Sequence, residues 1–265
     1  MKAWAEAMRF LTIIYIPGKP PKSASDAMAA YPWAGLTLGL LVALSAWGAS
    51  WVFQPLTIAI IALTIKIGLT GGLHFDGLAD LADGFGGGRD QERRLAIMAD
   101  SRLGTFGALA LLAMAALQGV FLYELMSIRY SQPLSPLFLI PLVLAPSFSR
   151  GLLPLFMRLF PSARPGGMGE RSKNLANGKT ILLALMAILV MAFCFSGFMG
   201  IVILFLSGGC MAYYGWKITK TLGGLTGDCY GALIEIGELT TFILFVLGQK
   251  MGVPILPFQG LIPLW

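Results

Sequence analysis

Long apolar stretches alternate with short polar segments along most of this chain. A membrane-crossing helix needs about 20 mostly apolar residues. The stretches of roughly that length or longer are residues 31–51, 56–70, 105–126, 134–157, 180–214 and 230–247. The fifth is too long for one helix, and Gly197 and Gly200 near its middle predict a hairpin between two spans. The pattern therefore predicts an all-α, polytopic transmembrane helix bundle with about seven spans.

The segment before the first span has a different pattern. Residues 3–16 are apolar apart from Glu6 and Arg9, and they are too few to cross a bilayer. We expect a short N-terminal helix that either lies at the membrane interface or docks against the bundle. Because Glu6 stands where a signal peptide would begin its apolar core, no cleaved signal is expected.

Composition and charge agree with a membrane protein. Hydrophobic residues make up 57% of the chain and charged residues only 12%, whereas soluble domains carry about 25% charged residues. With the N-terminus inside, fifteen Lys and Arg residues fall on the cytoplasmic side and two on the other side. This bias predicts an inner-membrane protein whose polar segments 73–104 and 158–179 face the cytoplasm. The cations lie between apolar stretches, so the net charge of +6 indicates a lipid bilayer and no nucleic acid.

The polar segment 73–104 holds six of the thirteen acidic residues. Asp76, Asp80 and Asp83 are spaced i, i+4, i+7, which places them within about 60° of one another on a helix. Like charges at this spacing repel, and a divalent cation removes the repulsion. All-oxygen ligation suits Mg²⁺. A solvated helix face is the alternative, but the intervening residues are Gly, Leu and Ala, so we predict a magnesium site.

Four further residues near this segment are candidates for chemistry. Asp100 is a candidate metal ligand or general base, although Asp is also favoured as the N-cap of the helix that follows. Arg102 is suited to clamp a phosphate bidentately, and Ser101 between them is a candidate substrate contact. His74 is the only histidine of the chain, and its role is either catalytic or structural.

Charged residues inside the predicted spans need partners. Arg150 falls within the stretch 134–157, where an uncompensated charge is costly, so we expect it to meet a phosphate or a carboxylate. Glu235 and Glu238, with Asp228, occupy one side of the last span and should face the bundle interior. They either pair with Arg150 or Lys66 or help to bind a cation. Lys66 has the further option of snorkelling to the interface.

The segment 158–179 is the second candidate substrate loop. It combines Arg164 with several glycines, as an anion-binding loop does. An ordinary basic cytoplasmic loop is the alternative.

Three motifs make the chain resemble the cobalamin-5′-phosphate synthases, also called adenosylcobinamide-GDP ribazoletransferases. They are GGLHFDGLADLADG at 71–84, MADSRLGTFG at 98–107 and LGGLTGDCYGALIE at 222–235. The resemblance extends over essentially the whole chain, 1–265, as a single integral-membrane transferase domain. One departure concerns the N-terminus, where the family often has Thr-Arg-Ile-Pro and this chain reads TIIYIP at 12–17.

The resemblance implies the last assembly step of the cobalamin nucleotide loop. α-Ribazole or its 5′-phosphate attacks the diphosphate of adenosylcobinamide-GDP, and GMP leaves, with Mg²⁺ as cofactor. The resemblance gives the aspartates of the first motif the role of metal ligands. It makes Asp100, His74 and Arg102 candidate catalytic residues and Arg150, Arg164, Asp228, Glu235 and Ser101 candidate substrate-binding residues. A homo-oligomer is compatible with the sequence.

Two other classes of protein compete with this interpretation. Another intramembrane Mg²⁺ enzyme, such as a CDP-alcohol phosphotransferase or a prenyltransferase, would require a different aspartate pattern. The former has Asp-Gly-x-x-Ala-Arg, whereas here Asp76-Gly-Leu-Ala is followed by Asp80 and Leu81. A divalent-cation transporter would place acids near mid-membrane on several helices. Here the main acidic cluster lies in a polar segment, which favours an enzyme.

Overall fold

The computed structural model describes residues 1–19, 21, 23–131, 138–164, 166, 170 and 174–252. This part of the chain is α-helical, with one isolated β-bridge. The helices are α1 (Lys2–Leu11), α2 (Ala24–Ala29), α3 (Tyr31–Ala49), α4 (Pro55–Leu69), α5 (Leu73–Gly87), α6 (Gln91–Ile97), α7 (Thr105–Ser131), α8 (Ile140–Leu159), α9 (Gly178–Leu222) and α10 (Gly227–Lys250). The predicted all-α membrane bundle is confirmed.

Five of these helices are long and apolar enough to cross a membrane, namely α3, α7, α8, α9 and α10. The predicted span at 56–70 forms α4, which reaches that length only together with α5, and the two meet at an angle of 87°. By length and composition, the described residues thus contain five helices that could cross a membrane, or six if the bent pair counts as one span, with α9 counted once. The expected number of seven spans is not confirmed. The part of the predicted span 134–157 before residue 138 lies outside the described residues.

The longest helix, α9, is broken where the sequence predicts a hairpin. Gly197 has φ 58° and ψ −146°, a conformation available in practice only to glycine. Beyond it, Gly200 packs so closely on the backbone of Ala192 that a methyl group there would overlap the Ala192 carbonyl oxygen. Residues eight apart in a continuous helix lie about 12 Å apart along its axis, so the chain reverses direction at Gly197.

The N-terminal helix docks against the bundle. Ala7, Met8 and Leu11 are buried, and Trp4 Nε1 donates to Thr37 Oγ1 on α3 at 3.1 Å. The following segment reaches α4, where Ile13 N donates to Leu69 O at 2.9 Å. Of the two predicted alternatives, docking is the one that the structure supports.

The bend between α4 and α5 depends on two consecutive glycines. Gly71 and Gly72 have φ of 62° and 73°, in the left-handed region that L side chains rarely adopt. They turn the chain sharply after α4, so that α5 begins beside α10 instead of continuing the span. The aspartate motif therefore sits on a helix that is set across the direction of α4.

α8 lies at the centre of the bundle, with 94% of its most apolar stretch buried. α3 packs against it at van der Waals contact of the two backbones, because Gly35 and Gly39 face the backbone at Pro146 and Leu142 without a side chain between them. α8 also carries Arg150, which is 1% exposed. A charge at such a central position must be neutralised by neighbouring helices.

α5 and the start of α10 run antiparallel. Gly77 packs on the backbone of Asp228, and three residues earlier His74 lies against Gly231. Asp80, one turn further along α5, therefore extends past the beginning of α10 and outside the spanning helices. The N-terminus of α7 lies at the same end of the bundle, since Gly104 and Gly107 contact Asp83 of α5.

Candidate active site

Three carboxylates from two helices gather at this end of the bundle. Asp76 and Asp80 lie one turn apart on α5, and Asp228 lies in the first turn of α10, packed across Gly77. Asp76 is exposed and the other two are half-buried. The sequence predicted Asp76 and Asp80 as metal ligands; the structure adds Asp228 to their surroundings.

The carboxylates repel one another. Burial, together with the negative charges of Asp76, Asp228 and Asp83, raises the pKa of Asp80 to about 6. Such a cluster is stabilised by a cation. Within the described residues, no three His, Cys, Asp or Glu side chains are arranged to hold a metal ion by themselves. Magnesium is typically held by one or two carboxylates together with substrate phosphates and water, so these donors fit Mg²⁺ bound jointly with an anionic substrate.

Asp83, the third predicted metal ligand, is engaged elsewhere. Its Oδ2 accepts a hydrogen bond from Gly104 N at 2.8 Å, and its Oδ1 accepts one from Gly107 N at 2.8 Å. The side chain is buried and caps the N-terminus of α7. Capping of this helix by Asp100, the structural alternative to a metal or base role, is therefore not found, because Asp83 accepts from the N–H groups at the start of α7.

Asp100 and Arg102 pair with each other at the surface. Arg102 Nη2 lies 2.6 Å from Asp100 Oδ2, and the backbone N–H of Arg102 donates to Oδ1 at 3.1 Å. These hydrogen bonds lower the pKa of Asp100 to about 2, which makes it a weak base. Ser101 is exposed beside them. An exposed Arg102 remains free to exchange its partner for a substrate phosphate.

Arg164 is the cation placed next to the acidic cluster. It lies within electrostatic range of Asp228, and its Nη2 donates to Leu95 O of α6 at 2.6 Å. Its loop is fixed to the segment before α10, since Leu225 N donates to Pro161 O at 2.8 Å and Ala163 N donates to Leu225 O at 3.1 Å. Arg171 and Lys173, two further basic residues of the segment 158–179, lie outside the described residues.

Deeper in the bundle, four polar side chains form a buried network. Lys66 Nζ lies 2.8 Å from Glu235 Oε2 and 2.6 Å from Glu238 Oε2, and it also donates to Gln118 Oε1 at 2.8 Å. Gln118 in turn donates to Glu235 Oε2 at 2.7 Å. The predicted pairing of the two glutamates with Lys66 is confirmed, and Lys66 does not snorkel to the interface. Glu235, a candidate substrate residue, is thus held inside the protein.

Arg150 joins the same network. Its Nη1 donates to Oε1 of Glu238. Of the two partners predicted for Arg150, a phosphate or a carboxylate, the structure shows the carboxylate. Its Nη2 lies 3.3 Å from His74 Nδ1. Because a guanidinium only donates, Nδ1 accepts, and the neutral imidazole carries its proton on Nε2. Among the described residues, His74 Nε2 has no hydrogen-bond partner, and His74 and Arg150 are both buried away from the carboxylates at the surface.

Sequence reasoning missed two residues of this arrangement. Gln118 was not singled out, although a lone glutamine in the middle of the apolar stretch 105–126 was a usable signal. The capping role of Asp83 was also missed. The spacing of the aspartates predicts the side of α5 on which Asp83 lies, but it does not predict that Asp83 meets the N-terminus of α7.

Comparison with known proteins identifies the family. A model described as cobalamin-5-phosphate synthase matches residues 3–246. A protein named adenosylcobinamide-GDP ribazoletransferase from Roseiflexus sp. (strain RS-1) is 37% identical over 250 residues, covering 93% of this chain and 90% of the relative. A protein of the same name from Herpetosiphon aurantiacus is 36% identical over 243 residues, covering 90% and 94%. No solved structure matches. This chain belongs to the cobalamin-5-phosphate synthase family.

Proposed function

We propose that this protein transfers the adenosylcobinamide phosphoryl group from adenosylcobinamide-GDP to α-ribazole or α-ribazole 5′-phosphate. A hydroxyl of the ribazole attacks the phosphorus joined to cobinamide, the diphosphate bond breaks, GMP leaves, and the hydroxyl proton is released. The product is adenosylcobalamin or its 5′-phosphate, which completes the nucleotide loop of cobalamin. The observation that carries the proposal, beside family membership, is the meeting of Asp76, Asp80 and Asp228 with Arg164 at one end of the bundle.

Magnesium is the metal that these donors favour. We assign Asp76 and Asp80 as its ligands, with Asp228 as the third carboxylate nearby. When bound, the ion would neutralise negative charge on the diphosphate of the donor. Arg164 is placed to bind an oxygen of the same diphosphate, because its loop is fixed beside Asp228. Arg102, which pairs with Asp100 at the surface, is the second candidate clamp.

The protein lies in a membrane, and we assign the carboxylate end of the bundle to the cytoplasmic side of a bacterial inner membrane. The support is the distribution of Lys and Arg, which is strongly biased to the segments at this end. GDP-linked and ribazole substrates are water-soluble at their reacting ends, so a cytoplasm-facing site gives them direct access. Whether protomers associate as a homo-oligomer stays a prediction.

Cation transport receives no support from the buried acids. Glu235 and Glu238 lie at membrane depth but are neutralised by Lys66 and Arg150. A transport path would expose such carboxylates to a passing ion. The network holds two cations and two anions and so attracts no further cation.

The direct test is turnover of the purified protein with adenosylcobinamide-GDP and α-ribazole 5′-phosphate, with and without Mg²⁺. We expect GMP and a corrinoid product in equal amounts, a requirement for metal, and loss of turnover in Asp80→Asn. Asp90→Asn is the matched control, because Asp90 is exposed and caps only α6 through Arg93 N at 2.9 Å. Absence of GMP under any divalent metal would overturn the assignment.

A further inference from the structure

The contacts of Asp83 set it apart from the other aspartates of its helix. Only 8% of the residue is exposed, and each carboxylate oxygen accepts a backbone N–H at 2.8 Å, from Gly104 and from Gly107. These N–H groups belong to the start of α7, where backbone donors lack partners inside the helix. A carboxylate at a helix N-terminus also interacts favourably with the helix dipole. Both oxygens of Asp83 are therefore used in joining α5 to α7.

The two glycines provide the space for this carboxylate. A methyl group at Gly104 would overlap Asp83, and the three atoms nearest to it all belong to that carboxylate. A methyl group at Gly107 would meet the same carboxylate and, in addition, the Ala79 carbonyl oxygen at 3.0 Å. Neither glycine has a positive φ, so space and not backbone conformation accounts for them. The Asp83 carboxylate thus fits closely between Gly104 and Gly107, and we call this contact the joint between α5 and α7.

This joint determines where the second motif lies. Immediately after Asp83, Gly84 packs against the side chain of Met98, the first residue of the motif MADSRLGTFG. The segment leading to Asp100 and Arg102 is therefore held beside α5 at Met98 and again at Gly104. Movement of this joint would displace Arg102 relative to Asp76 and Asp80.

From this geometry we infer that Asp83 is a positioning residue that fixes the aspartate helix against α7, and not a ligand of the metal. The inference rests on the proposed function in so far as the positioned groups are Asp76, Asp80 and Arg102. The joint itself does not depend on the identity of the substrates. It revises the expectation, from spacing alone, that all three aspartates of the motif share one ion.

The first test is a double-mutant cycle on thermal stability in detergent. Gly104→Ala should lower the unfolding temperature of the native protein by several degrees, because the new methyl group displaces the carboxylate. In the Asp83→Ala background the same substitution should cost less than half as much, because the space has been vacated. Gly119→Ala, where a methyl group would meet nothing within 4 Å, is the control and should behave alike in both backgrounds. If the effects of Gly104→Ala and Asp83→Ala are additive, the inference that Asp83 and Gly104 form one joint is wrong.

The second test separates positioning from ligation and from a purely structural role. In Asp83→Asn, which retains one acceptor oxygen and the size of the side chain, we expect kcat per folded molecule to fall about tenfold or more. Mn²⁺ prefers the same oxygen ligands as Mg²⁺ and serves as the probe metal. The Mn²⁺ concentration for half-maximal turnover should stay within about threefold of the native value. In Asp76→Asn, Mn²⁺ activation itself should be lost.

Two outcomes would overturn the inference. Loss of Mn²⁺ activation in Asp83→Asn, as in Asp76→Asn, would make Asp83 a ligand. An unchanged kcat per folded molecule, with only a lower unfolding temperature, would make it purely structural. If the native protein releases no GMP at all, the proposed function fails, while the stability cycle still decides whether the joint exists.

Discussion

Lys66 Nζ lies 2.6 Å from Glu238 Oε2, and the other oxygen of Glu238 accepts from Arg150. One carboxylate on α10 thus pairs with cations from both α4 and α8. In Glu238→Gln, Arg150 would lose its carboxylate partner and Lys66 would keep only Glu235. Because removing one partner of a buried ion pair costs about 3–5 kcal/mol, we expect the unfolding temperature in detergent to fall by roughly 10 °C.

The control for this substitution is Glu124→Gln. Glu124 pairs with Lys250 at 3.1 Å, but that lysine side chain is 60% exposed. An exposed pair contributes about 0–1 kcal/mol, so this variant should unfold within a few degrees of the native protein. Equal destabilisation by the two variants would contradict the central role of Glu238.

Gly197 makes the reversal within α9 possible. Its φ and ψ lie in a region that other residues enter at a cost of about 1–3 kcal/mol, so Gly197→Ala should destabilise the protein by that amount. Gly209→Ala, also in α9 but with nothing within 4 Å of the added methyl group, should be neutral or slightly stabilising. Thermal unfolding of the two variants in the same detergent measures the difference. A stable Gly197→Ala protein would mean that the chain passes this position as an ordinary helix.

Arg164→Ala tests the anion-binding role of the second loop. Loss of a charge-assisted hydrogen bond to the donor diphosphate costs about 1.5–3 kcal/mol, so kcat/KM for adenosylcobinamide-GDP should fall about 10- to 150-fold. Arg158→Ala, at an exposed position in the last turn of α8, should change kcat/KM by less than about threefold. Initial rates of GMP release against donor concentration give both values. A similar loss in the two variants would indicate general electrostatic attraction in place of a specific contact.

Asp100 provides a prediction about pH. The hydrogen bonds from Arg102 lower its pKa to about 2. Asp100 therefore stays ionised above pH 4 and becomes protonated only as the pH falls through about 2. Asp100→Asn should therefore leave the acid limb of the pH–rate profile between pH 5 and 8 unchanged. A limb that disappears in this variant would identify Asp100 as a group that titrates during turnover.

Hydropathy predicted the helices that depend on burial in lipid, because an apolar stretch of sufficient length has few other stable states. It also predicted the reversal at Gly197, since 35 apolar residues exceed one crossing. The bend between α4 and α5 was not predicted. Gly71 and Gly72 permit a left-handed turn, but only the packing of α5 against α10 shows that the turn is made.

For the candidate site, sequence patterns located charges better than they located partners. The spacing of Glu235 and Glu238 predicted an inward-facing pair, and the need to neutralise buried charge led to Lys66 and Arg150. The spacing of Asp80 and Asp83 suggested one shared role. Their environments separate them, because Asp83 meets the backbone of α7 whereas Asp80 faces other carboxylates. Such separation depends on contacts between distant segments, which no local pattern contains.

The charge network also has a consequence for biogenesis. Lys66 and Arg150 enter the bilayer with α4 and α8, whereas the acids that neutralise them arrive with α10, the final helix of the described chain. During synthesis the nascent bundle therefore holds two unbalanced cations until its last helix is inserted. A chain that stalls before Glu235 would therefore leave Lys66 and Arg150 in the membrane without their carboxylate partners.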